Sequence, residues 1–268
     1  MSAPDAPDGF GNAATPTLTE LYTAVARQAG AGAMAWLAAA VAEVTDTPSA
    51  LPRRFAEAGR HCGRAVLLRN AAPPPDPPAG PVPFPDRPAG ATPLRAQPPR
   101  AVPDVCLFWT VDDAVRALLL AALSVPAVVP TERVAELYHR GDAAERRGVL
   151  RSLSVIDTAH HALPLTADAL RTNDPRLIAA ALGPYGARWL DGAAWRQAVM
   201  KCLHCAIPLR AVAGLSARYD AELARMARYH ARELASAGRP LPADLPLLLA
   251  LPSPPTGTPC ASSTPTSI

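Results

Sequence analysis

Prolines decide where this chain can be helical. There are 32 of them, and thirteen fall between Ala72 and Pro103. Proline lacks an amide hydrogen and its ring clashes with the preceding turn, so helix interiors exclude it. The 72–103 stretch also lacks the alternation of strands, and it reads as an extended linker or a long loop. Elsewhere the chain carries apolar residues at helical spacing. Ala and Leu dominate a 49% apolar fraction while aromatics supply only 5%, a mix that favours helix over sheet. The expected fold is all-α: stacked helical hairpins, as a HEAT-like α-solenoid or an irregular helical bundle.

The pattern divides the chain. Residues 1–16 read as a disordered N-terminus and 17–71 as N-terminal helices. Residues 72–105 form the Pro-rich linker or loop, 106–238 the main helical region, and 239–268 a Pro-rich disordered tail in which a Leu247–Leu251 patch is able to dock. Thr17 and Glu20 fit a capping box, followed by Leu18, Leu21, Val25 and Ala29. Gly30 and Gly32 are expected to break that helix. A second helix runs through Trp36, Leu37, Val41 and Val44, and a third through Leu51, Phe55, Ala58 and Cys62. After the linker, Thr110–Asp113 caps a helix with Val115, Leu118, Leu119, Ala122 and Leu123 inward. Others start near Pro130, Asp142, Thr166, Asp174, Gly192 and Ser216. Three short helices make a thin core alone, so the regions on either side of the linker are expected to pack together.

Charge and cysteine usage exclude several classes. Net charge is only +3 and no Lys/Arg block is interleaved with aromatics, which disfavours nucleic-acid binding. The five cysteines (Cys62, Cys106, Cys202, Cys205 and Cys260) are odd in number and scattered, so no disulfide framework is implied. The opening MSAPDAPDGF lacks the charge and apolar run of a signal peptide. Before the Pro-rich tail, the longest uncharged stretches, 28–42 and 117–131, fall short of a bilayer span. The expectation is a cytoplasmic protein that is not integral to the membrane.

Three clusters invite chemistry. The first, WRQAVMKCLHCAIPL at 195–209, holds Cys202, His204 and Cys205 and, at Lys201, the only lysine in the chain. On a helix Cys202 and Cys205 share a face, while His204 points about 200° away from Cys202. The cysteines fall on apolar stripes with Trp195, Val199 and Leu209, so they read as core, and no metal is expected. Gln197, Lys201 and His204 form the polar face. An ammonium is compact and titratable where a guanidinium is not. If Lys201 serves a ligand, Lys201→Arg is expected to leave stability nearly unchanged and to impair function. The second cluster, TNDPRL at 172–177, puts Asn173, Asp174 and Arg176 at a helix N-terminus, either as capping groups or as an anion contact. The third, His160–His161 after Asp157, lacks a spaced third ligand. No Gly-rich phosphate loop, nucleophile elbow or H-E-x-x-H motif occurs. No cofactor and no catalytic residue are assigned.

The stretch RTNDPRLIAAALGPYGARWLDGAAWRQAVMKCLHCAIPLRAVAGL, followed by DAELARMARYHARELASAGRPLPADL, resembles the EboA-domain family over about 171–245. GRHCGRAVL (59–67) and TVDDAVRALLL (110–120) look like weaker counterparts. The resemblance implies a helical protein from gene clusters tied to moving a secondary metabolite, or its precursor, across the cytoplasmic membrane. Neighbouring genes in such clusters look like a prenyltransferase, a hydrolase, a dehydroquinate-synthase-like protein and sugar-phosphate-isomerase-like barrels. Their products, and a small anionic or prenylated metabolite, are the partners implied, with the inner face of the membrane reached through them. The positions matching the family pattern include Asn173, Asp174, Arg176, Gln197 and Lys201, which become the ligand- or partner-binding candidates. The sequence departs from the pattern at His204–Cys205 and at Pro246. The expected role is an adaptor or ligand-binding component, and the alternative is an enzyme using a Lys201/Asp174 pocket.

Overall fold

The computed structural model describes residues 15–67, 109–123, 130–156 and 158–251. The expectations for 1–14, for the Pro-rich segment, for Asp157 and for the tail beyond 251 lie outside the described residues. Among those described, thirteen α-helices and no strand occur. Their lengths run from four to sixteen residues, so no repeating unit emerges and the arrangement is an irregular stack.

The first three helices follow their local signals. Thr17 accepts a hydrogen bond from Glu20 N and Glu20 answers to Thr17 N, which starts α1 (Leu18–Gln28). Gly30 is the N-cap of α2 (Ala31–Asp46), whereas Gly32 lies inside its first turn. All four apolar positions read for α3 (Leu51–Cys62) are buried. The chain on either side of the Pro-rich segment meets at an isolated bridge between Val66 and Thr110. There Leu67 N donates to Trp109 O and Val111 N to Ala65 O, each at 2.9 Å.

That bridge delivers α4 (Val111–Ala121), in which every residue is buried. α1, α2 and α3 pack on it, as does α6 (Ala143–Ser152), with α5 (Thr131–Arg140) against α6. Sequence periodicity gave α4 one apolar stripe and read its acids as caps. The structure instead closes it in on all sides with Asp112, Asp113 and Arg116 inside. Arg116 donates to Asp112 Oδ2 at 2.5 Å and to Phe55 O of α3 at 3.1 Å. Arg147 of α6 reaches both oxygens of Asp113 at 2.9 Å and Thr110 Oγ1 at 3.0 Å. Arg151 Nε lies 3.3 Å from Asp113 Oδ2. Thr110 donates to Asp112, and its amide donates to Asp113 Oδ2 at 3.2 Å.

Two apolar cores result. One joins α1–α6 to parts of α7 (Leu163–Arg171), α8 (Pro175–Ala181) and α9 (Pro184–Trp189). The helices before the Pro-rich segment therefore share a core with those after it. The other core gathers α10 (Gly192–His204), α11 (Leu215–Arg218), α12 (Ala221–Ser236) and α13 (Leu245–Leu249). α8 belongs to both, with Leu177 and Ala181 facing the first and Ile178 facing the second. The expectation of a disordered tail from 239 is corrected over 239–251. Asp244 accepts from Leu209 N at 2.6 Å, and Leu245 and Leu248 fill the second core while Leu247 stays exposed.

Gly148 is what allows α4 and α6 to approach. A Cβ there would stand 2.6 Å from Arg116 Cδ, on a side chain pinned at its far end by two hydrogen bonds. The clash outweighs the ~1 kcal/mol helix advantage of alanine. Gly148→Ala should therefore lose about 1–2 kcal/mol in urea unfolding. A gain in stability would show that Arg116 is free to move aside.

Candidate functional site

The residues singled out from sequence meet around one corner, where α7 ends, α8 begins and α10 passes by. Asp174 caps α8 by accepting from Arg176 N at 2.9 Å. The Arg176 side chain returns to the same carboxylate at 3.2 and 3.0 Å. Those side-chain hydrogen bonds hold the Asp174 carboxyl below its ordinary range. Arg176 and Asn173 are exposed. The start of α8 is thus filled by the protein's own carboxylate and guanidinium, the arrangement of a cap.

Asp191 caps α10 by accepting from Ala194 N at 2.7 Å. Trp195, Val199 and Cys202 are buried along one side, with Arg218 stacked over the Trp195 ring at 4.7 Å. Burial pushes the Cys202 thiol up to about 12, so the thiolate needed for metal or redox chemistry is suppressed. His204 is exposed, pairs Nδ1 with Met200 O at 2.8 Å, and packs on His230 with ring centroids 4.5 Å apart. His160 packs on His161 and Trp189. Among the described residues, no group of three or more His, Cys, Asp or Glu side chains is placed to hold a metal ion.

α10 ends unusually. Ile207 N donates back to Cys202 O at 2.9 Å, and Ala206 between them has φ +52°. This is the position where glycine ordinarily ends a helix, and a Cβ there costs about 1 kcal/mol or more. Ala206 is exposed. Ala206→Gly should raise stability by about 0.5–1 kcal/mol after the added chain entropy of glycine, read as a higher urea midpoint. A lower midpoint would mean that the turn is unstrained.

Lys201 has a definite structural task. Its Nζ donates to Leu170 O at 2.8 Å and to Thr172 O at 2.6 Å. The carbonyls of a helix C-terminus have no partners within the helix, and a cation there also meets the favourable end of the dipole. The lone lysine therefore ties α10 to the end of α7, one residue before Asn173. A guanidinium is longer and planar, and does not place one nitrogen between two such carbonyls. The expectation that Lys201→Arg is thermally silent gives way accordingly. We expect about 1 kcal/mol of loss for Lys201→Arg and more for Lys201→Met, which leaves both carbonyls without that donor. Equal melting temperatures for all three proteins would refute the tie.

Beside this tie runs a groove between α7 and α10 of about 430 Å³. Leu170, Leu190, Ala194 and Met200 give it an apolar lining, and Arg171, Gln197, Lys201 and His204 stand along it. Of the five sequence candidates, Gln197 and Lys201 line the groove. Asn173, Asp174 and Arg176 do not, so Asp174 and Lys201 share no pocket. Sequence reasoning passed over Arg171 and Leu190, because the partner helix of α10 is not visible in a one-dimensional pattern.

Residues 102–249, more than half of the chain, match the family described as metabolite traffic protein EboA. The chain belongs to the EboA family. The match takes in α4–α13, including α13, which lies beyond the 238 boundary read from sequence, and leaves out α1–α3. No curated protein and no solved structure matches the chain. No helix among the described residues is long and apolar enough to cross a membrane.

Proposed function

We propose that this EboA-family protein serves metabolite traffic as a non-catalytic binding component, taking the apolar part of a small anionic or prenylated metabolite in the α7–α10 groove. The observation that carries this reading is the fate of the motif residues. Asp174 and Arg176 close on each other, and Lys201 holds the end of α7. What they frame is an apolar groove with a few polar groups along its edge, the usual make-up of a small-molecule site. Arg171, exposed and paired with Asp168 at 2.7 Å, is the cation that an anionic head group would meet by competing for that pair. The enzymatic alternative, a Lys201/Asp174 pocket, finds no support in this geometry. In this reading the protein works in the cytoplasm, passing its cargo to products of neighbouring genes, some of them at the inner face of the membrane.

The test is to fill the groove while sparing the fold. Gln197 is exposed on the groove's edge, so Gln197→Trp should change stability by no more than about 0.5 kcal/mol. In cells that need the gene cluster, we expect Gln197→Trp to leave protein level and melting temperature intact and to block delivery of the metabolite. Normal delivery with the groove filled would sink the proposal.

A further inference from the structure

The ammonium of Lys201 has three protons to donate. Two go to Leu170 O at 2.8 Å and to Thr172 O at 2.6 Å. Those carbonyls flank residue 171, so the tie of α10 to the end of α7 is complete without the third proton. That proton has no acceptor, and the ammonium no carboxylate partner, among the described residues. Lys201 is half-buried and lines the α7–α10 groove, which is the open space beside it. A partly buried charge met only by carbonyl dipoles favours the arrival of an anion.

The other charges at this corner have the same sign in excess. Arg171, the residue between the two carbonyls, also lines the groove and pairs with Asp168 at 2.7 Å. Asp168 accepts from the Tyr138 hydroxyl at 2.9 Å as well, and it stands outside the lining. Two cations at the groove therefore face one carboxylate behind it, and no carboxylate lines the groove among the described residues. His204, the remaining ionisable group of the lining, donates its Nδ1 proton to Met200 O, since a carbonyl only accepts.

This pattern discriminates among head groups. One positive charge in excess matches one negative charge. A phosphate monoester brings close to two, and it would lie against the carbonyl end of α7, the negative end of the helix dipole. The first amides of α8 and α10, the groups that hold phosphates at helix starts, are already capped by Asp174 and Asp191. A carboxylate asks for fewer donors.

On the reading of the α7–α10 groove as a binding site, we propose that its occupant is a monocarboxylic acid with an apolar body, and that Lys201 holds the head group. One carboxylate oxygen accepts the third Lys201 proton. The other faces the amide of Gln197, one turn earlier on the same face of α10. Arg171 adds a second cation from α7, and the apolar body lies on Leu170, Leu190, Ala194 and Met200. Lys201 thus ties the corner with two protons and reads the ligand with one.

Lys201 is the only lysine in the chain, so protein grown on isotope-labelled lysine gives side-chain Cε and Nζ signals from this residue alone. The probes are octanoate, octanol, octyl phosphate and acetate, titrated into the full-length protein at neutral pH. We expect octanoate to shift the lysine signals with saturation. It should bind at least tenfold more tightly than octanol or acetate, at least threefold more tightly than octyl phosphate, and more weakly as salt rises. Arg171 is exposed, so Arg171→Gln should fold normally; it removes a cation and frees Asp168, and should weaken octanoate at least threefold. In Lys201→Met, followed by calorimetry, octanoate should bind no more tightly than octanol. Gln197→Trp, which fills the groove, should abolish the octanoate shift. Octanol binding as tightly as octanoate, with both lost in Gln197→Trp, would overturn the carboxylate anchor and leave the groove standing as a binding site. Tighter binding of octyl phosphate, or octanoate binding that leaves the lysine signals unmoved, would overturn the anchor as well. No saturable binding of any octyl probe, or octanoate binding undiminished in Gln197→Trp, would overturn the anchor and the groove together.

Discussion

The buried ion cluster on α4 sets the register of everything packed around it. Asp112, Asp113 and Arg116 stand on one enclosed helix, and their partners come from α3 through Phe55 O and from α6 through Arg147 and Arg151. Such clusters add little net stability compared with a well-packed apolar core, yet removing one partner strands a charge and costs about 3–5 kcal/mol. The cluster therefore selects one alignment of α3, α4 and α6 out of the several that leucines and alanines alone would tolerate. Gly148 is a consequence of that alignment, since only a residue without a side chain lets α6 lie against Arg116. The bridge of Val66 to Thr110 follows as well, because Thr110 is both the cap of α4 and a member of the cluster.

α8 carries that order from the first core to the second. It is short, with Leu177 and Ala181 on the first core and Ile178 on the second. A helix of seven residues is marginal by itself. Its two ends explain its persistence. Asp174 and Arg176 fix the start, and at the far end Ala213 N donates to Leu182 O at 2.9 Å. Lys201 anchors the preceding turn from α10. The family motif thus reads as architecture: N-D-P-R-L begins the shared wall, and W-R-Q-x-V-x-K-C supplies a core tryptophan, the lysine that ties the corner, and a buried cysteine.

Much of this was legible in sequence, for physical reasons that also mark where legibility stops. Capping boxes at Thr17 and Asp142 and the apolar spacing of α3 are local, so the helices appear where expected. Cys202 fell into the core because its spacing already matched an apolar stripe, whereas Cys205, at the end of α10, is only partly buried against it. Asp112 and Asp113 were misread because a cap and a buried ion pair look identical in one dimension. Asp112 is paired within its own helix by Arg116, and only the arginines of α6, more than thirty residues away, mark Asp113 as buried. Lys201 was picked out by its rarity, but its partners are backbone carbonyls, which no side-chain pattern reveals. The short helices α9 and α11 lack a full amphipathic period, and the docking of α13 depends on Asp244 meeting Leu209 N.

The proposed binding groove and the α4 centre differ in the way that this construction allows. The α7–α10 groove is framed by satisfied groups: Lys201 on its carbonyls, Asp174 on Arg176, His204 on Met200 O. Its lining is small and apolar and sets few demands on the shape of an occupant. The α4 centre is the opposite. Its carboxylates and guanidinium groups are enclosed together, and each fixes the position of its partners on α3 and α6. Removing one partner leaves a buried charge that the rest of the fold must offset. A rigid, over-determined centre is thus what lets the fold leave a groove elsewhere loosely specified, since the alignment of the helices does not depend on what fills it.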